Sequence, residues 1–119
     1  MKKTLVLGAS ENPDRYSNIA IKRLLNKGID VVAIGIKTGE VDGVKMEIIK
    51  KKFVDIDTVT LYLSAKNQVE YYNYILSLKP NRVLFNPGTE NSDFEALLTK
   101  NGISFERACT LVLLSLGKY

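Results

Sequence analysis

Gly8, Ala9, Ser10, Asn12, Arg15, Tyr16 and Ser17 fall within one short segment, GASENPDRYSN, between the apolar run TLVL and the helical pattern IAIKRLLNKG. A strand, a loop opening on glycine and a helix start together suggest a phosphate cradle. The first N–H groups of a helix have no intrahelical acceptor, and the helix dipole places partial positive charge beside them. Gly8 permits a tight turn, Ala9 and Ser10 keep side chains small where a ligand must approach, and Arg15 adds a planar cationic fork. The competing reading is a loop in which Asn12 and Pro13 merely form a turn.

A second cation sits at the end of the next apolar run. VVAIGI is followed by Lys37, where a dinucleotide site that binds ribose hydroxyls carries an acid. The glycine fingerprint G-x-G-x-x-G is also missing after its first glycine, so NAD fits poorly. A lysine there suits an additional phosphate, either the 2′-phosphate of NADP or the 3′-phosphate of coenzyme A. An exposed loop lysine is the plain alternative.

Groups able to do covalent or acid–base chemistry are few. The chain has no histidine and one cysteine, Cys109, which excludes a histidine triad or base within it and argues against a zinc site. Cys109 lies at the start of the last apolar segment, where a helix dipole could activate a thiol; a small core residue is the alternative. Glu90, in the loop NPGTEN, could serve as a base, or could bind backbone N–H groups and hold the loop's shape.

These residues need a scaffold. Apolar runs at 4–7, 31–36, 58–63, 82–85 and 103–105 read as strands, with residues 44–49 a weaker candidate for a short edge strand and a turn of helix. Helical spacing covers the stretch after Ser17, which is expected to cap it, then 67–78, a segment capped by Asn91 or Ser92, and 109–116. Strand–helix alternation is the signature of βαβ units. The expected architecture is a three-layer α/β domain of Rossmann type, residues 1–119 forming one domain around a parallel sheet of about five strands. Ligands in such sheets bind beyond the carboxyl ends of the strands, where GASENPDRYSN, KTGE, SAKN and NPGTEN would meet.

Composition narrows the function classes. Among 119 residues, 45% are hydrophobic and 25% charged, enough apolar content for a core without disulfides or metal. The net charge of +4 suits a phosphate-bearing ligand, and the basic residues are scattered apart from Lys50–Lys52, with no nucleic-acid motif around them. No apolar run is long enough to span a bilayer. The start MKKTLVLGASENP is superficially like a signal peptide, but its apolar stretch is too short. A cytoplasmic protein is expected.

The segments GASENPDRYSN, VVAIGIK, DTVTLYLSA, KPNRVLFNPGTEN and GISFERACTLVLLSLG, in that order, resemble the small stand-alone coenzyme A-binding proteins related to the nucleotide-binding domain of the succinyl-CoA synthetase alpha subunit. The resemblance covers nearly the whole chain. It implies bound coenzyme A, with Gly8, Ala9, Ser10, Asn12, Arg15, Tyr16 and Ser17 around the pyrophosphate and Lys37 answering the ribose phosphate. Ser64 and Ala65 would lie along the ligand's path, and Pro87, Gly88 and Thr89 would border the pantetheine end. The second strand departs from the family, reading AIGIKTGE in place of a turn with proline and asparagine. The synthetase's phosphorylated histidine is absent. The expected function is therefore non-catalytic binding of coenzyme A or an acyl-CoA. The alternatives are an NADP-dependent oxidoreductase, which would lack a substrate domain, or a thiol-transfer enzyme. Nucleic acid and membrane are not expected partners, whereas the final apolar helix and the tyrosines could serve a homodimer or partner-subunit face.

Overall fold

The computed structural model describes residues 3–119; Met1 and Lys2, the start of the signal-like stretch, lie outside the described residues. The strands are β1 (Lys3–Ala9), β2 (Val31–Gly35), β3 (Gly39–Val41), β4 (Val44–Glu47), β5 (Ile56–Leu61), β6 (Arg82–Phe85) and β7 (Ser104–Arg107). The helices are α1 (Tyr16–Asn26), α2 (Ala65–Gln68), α3 (Tyr72–Leu78), α4 (Ser92–Lys100) and α5 (Thr110–Ser115).

All seven strands form one sheet in the order β3-β4-β2-β1-β5-β6-β7, parallel except for β3, which runs antiparallel to β4. The fold is thus the expected Rossmann-like α/β arrangement, but with seven strands rather than about five. The two additional strands are the β3–β4 hairpin, whose buried side chains are only Val41, Val44 and Met46.

Alternation along the strands builds two apolar layers. Leu5, Leu7, Val59 and Leu61 face Tyr74 and Ile75 of α3 and Phe94 and Leu98 of α4. Val6 and Ala33 face Ile21 and Leu24 of α1 and Leu114 of α5. Ile21 and Leu24 are fully buried, each contributing about 1.5–3 kcal/mol relative to exposure. This is why the spacing of Ala20, Ile21 and Leu24 makes a helix that docks on the sheet.

Helix ends depart from expectation in two places. Ser17 does not cap α1; the N-cap position is Arg15, with no side-chain cap, and Ser17 is buried in the first turn. The stretch 67–78 is not one helix, because a 3₁₀ turn at Val69–Tyr71 separates α2 from α3. Asn91 does cap α4, its Oδ1 accepting from Phe94 N–H at 3.1 Å, with Asp93 and Glu95 in the first turn. Gly28 closes α1 as expected, Gly28 N–H donating to Leu25 O and Ile29 N–H to Leu24 O.

Candidate functional site

After β1 the chain proceeds to β2 on one side of it, and later places β5 on the other. The point where strand order reverses therefore lies between β1 and β5. Gly8 marks it. Gly8 bulges out of the β1–β2 register, has φ of 98°, and lies so close to β5 that an added Cβ would stand 2.7 Å from the Tyr62 carbonyl oxygen. No other residue type meets both conditions without strain.

Beyond this point opens a cleft of about 710 Å³, within the usual range of ligand pockets. The loop after β1 forms one wall with Gly8, Ala9, Ser10, Asn12 and Arg15, and α1 adds Tyr16 and Ser17. Lys37 lines it from the end of β2, Ser64 from the end of β5, and Pro87, Gly88 and Thr89 from the loop after β6. Ala65 opens α2 and does not line the cleft. The sequence reading missed Glu11, Ile36, Met46, Tyr62, Leu63 and Asn67, which complete the walls.

Local hydrogen bonds shape the first loop. Asn12 Oδ1 accepts from Asp14 N–H at 2.9 Å, and Ser10 Oγ accepts from Asn12 N–H at 3.1 Å. Buried Asn18 donates to Ser10 O at 2.9 Å and holds the loop to α1. Asn12 thus does form the turn, and the turn serves the loop: it delivers the chain to α1 with the N–H groups of Tyr16 and Ser17 lacking any protein acceptor among the described residues. Arg15 and Lys37 are exposed and make no ion pair among the described residues. Bare amides and uncommitted cations on one cleft fit an anionic ligand.

The opposite rim is fixed by two buried polar clusters. Gln68, fully buried, donates to Leu63 O at 2.8 Å and Thr89 O at 2.7 Å and accepts from Asn91 Nδ2 at 2.9 Å. It joins the loops after β5 and β6 to the cap of α4. Asn86 donates to Thr60 Oγ1 at 2.7 Å and Leu61 O at 2.9 Å, and its Oδ1 accepts from Thr110 N–H at 2.9 Å. Thr89 Oγ1 returns to Asn86 O at 2.7 Å. Glu90 accepts from Gly88 N–H at 3.0 Å, the loop-holding arrangement rather than that of a free base.

Tyr62 lines the cleft beside Leu63. Burial pushes its phenol up to about 12, with the Thr110 and Thr60 hydroxyls pulling the other way. Its Oη is buried yet makes no well-formed hydrogen bond. Cys109 is half-buried at the N-cap of the six-residue α5 and does not line the cleft.

A mostly parallel seven-stranded sheet with helices and a cleft at its switch point defines a Rossmann-like α/β protein. More narrowly, the chain belongs to the CoA-binding domain family, which residues 2–115 match. A crystal structure of an uncharacterized protein is 49% identical with a TM-score of 0.97, covering 100% of this chain and 98% of that one. A Thermus thermophilus protein shares the fold at 21% identity and TM-score 0.84, covering 99% and 90%. The fold also recurs in an acetyl-coenzyme A synthetase from Ca. Korarchaeum cryptofilum, solved with phosphate and ADP, at 15% identity and TM-score 0.72; the match covers 89% of this chain and 25% of that one. No curated protein matches the chain.

Proposed function

We propose that this chain is a non-catalytic binding module that holds coenzyme A or an acyl-CoA in the cleft at the switch point, as a cytoplasmic carrier, sensor or partner subunit built from one domain. The observation that carries the reading is the pair of unsatisfied N–H groups at Tyr16 and Ser17, beside Arg15, on one wall of the cleft. Those amides and Arg15 would hold the diphosphate, and Lys37 the ribose phosphate. Ser10 and Ser64 offer hydroxyls along the path. Pro87, Gly88 and Thr89 would border the pantetheine arm, on a rim that Gln68 and Asn86 hold rigid. When bound, coenzyme A supplies a thiol for acyl groups.

Binding without catalysis is supported by the lack of histidine and by the engagement of Glu90 with Gly88 N–H. Calorimetric titration with coenzyme A, NADP and NAD tests the reading. Coenzyme A alone is expected to bind. Heat from a nicotinamide cofactor, and none from coenzyme A, would transfer the cleft to the oxidoreductase reading.

A further inference from the structure

Glu11 places a carboxylate on a cleft otherwise suited to anions, and the structure gives it a seat. Its Oε2 accepts from the backbone N–H of Glu40 in β3 at 3.0 Å, a contact across 29 residues of chain. The seat is the space over Gly39. A Cβ built there would stand 2.5 Å from Oε1 and 2.6 Å from Oε2 of Glu11. Gly39 is not among the residues of positive φ, so its backbone is open to any residue type. A side chain there would displace the carboxyl group of Glu11, which fills that room.

The consequence is electrostatic as well as steric. Left loose, the carboxylate of Glu11, already on the cleft wall, would be free to approach the ligand's phosphates and repel them. Seated, it is held against β3, partly compensated by an N–H, and it ties the loop after β1 to β3, just beyond the turn that carries Lys37.

We propose that Glu11 is a positioning residue: seated over Gly39 and bonded to Glu40 N–H, it fixes the first loop in its anion-binding form and pins its own charge at the β3 edge of the cleft. This rests on the binding reading above. Three variants separate the parts. Glu11→Ala removes both tether and charge; Gly39→Ala evicts the carboxylate but leaves it charged; Glu11→Gln keeps an acceptor oxygen for Glu40.

Titration of each with coenzyme A and with ADP tests the proposal. Glu11→Ala is expected to weaken binding about threefold, the value of one ordinary hydrogen bond. Gly39→Ala is expected to weaken it more, about tenfold, because a displaced anion adds repulsion to the lost tether. The double variant should recover to the level of Glu11→Ala, and Glu11→Gln should stay within about twofold of the parent. Additive losses in the double variant, or an inert Gly39→Ala, would overturn it. Amide hydrogen exchange at Glu40 in the ligand-free protein reads the seat independently. It should be slower in the parent than in Glu11→Ala or Gly39→Ala, and equal rates overturn the proposal even if no nucleotide binds. Absence of any nucleotide binding, with Glu40 protected, would instead count against the coenzyme A reading and leave Glu11 seated without a ligand to position for, which also overturns the proposal.

Discussion

Gly8 meets Tyr62 backbone against backbone where β1 and β5 end, so close that a Cβ on Gly8 would lie 2.7 Å from the carbonyl oxygen of Tyr62. That contact sits at the centre of the sheet and at the floor of the cleft. Fold and site therefore share one residue.

Gly8→Ala is expected to lower stability by about 1–3 kcal/mol, from a positive φ and a backbone clash that no rotamer relieves. The urea midpoint measures it. Ligand affinity should fall as well, because the loop beginning at Gly8 delivers the amides of Tyr16 and Ser17.

Gln68→Ala should destabilise by about 2–4 kcal/mol, since it strands the carbonyls of Leu63 and Thr89 and one N–H of the Asn91 amide, whose other N–H stays on Tyr72. Chemical denaturation checks this. Gln68→Glu is expected to be no better, because a carboxylate cannot donate to Leu63 O and Thr89 O.

Buried tyrosines, Tyr62 and Tyr74 foremost, make stability depend on pH at the alkaline end. Burial raises the phenols of Tyr62 and Tyr74 from 10.0 to about 12. Tyr74 also donates to Lys51 O, a bond that its phenolate form cannot make. A folded-state value above the unfolded one means stability is fully present below pH 10 and is lost as pH rises through about 12. Denaturation midpoints followed from neutral pH upward should be level and then fall in that window. Tyr74→Phe should reduce the fall.

Arg15→Ala and Lys37→Ala should each weaken coenzyme A binding by about 1–3 kcal/mol, the value of a charged hydrogen bond, with little change in thermal midpoint because both side chains are exposed. Removing the ligand's 3′-phosphate should erase the effect of Lys37→Ala and spare that of Arg15→Ala. Calorimetry with coenzyme A and 3′-dephospho-coenzyme A reads both.

What was legible in the sequence was whatever rests on local periodicity. The runs TLVL, VVAIGI, TVTLYL and RVLF coincide with β1, β2, β5 and β6 because both faces of the sheet are covered, which makes them largely apolar, although Ile36, Tyr62 and Leu63 lie beyond the strand ends. Of the β3–β4 hairpin only β4 was foreseen, as a weak edge-strand candidate at 44–49; β3 escaped because it is three residues long, although Asp42-Gly43 between the strands is a known hairpin pair. β7 begins one residue and ends two residues beyond the expected 103–105, and all four of its residues are exposed at the sheet edge. In the site, Gly8, Arg15 and Lys37 could be named from their place after strands. Glu11 could not, because its role depends on Gly39 and Glu40, which only the folded sheet brings near. Gln68 was invisible for the same reason: a polar residue on a helical stretch gives no sign that it will be wholly buried between two loops and the cap of α4.

The central claim concerns where the diphosphate lies, and a crystal structure grown with coenzyme A addresses it directly. The expected result is diphosphate oxygen atoms accepting from the N–H groups of Tyr16 and Ser17, with Arg15 alongside. Coenzyme A bound elsewhere, or a protein side chain occupying those two amides, would contradict it.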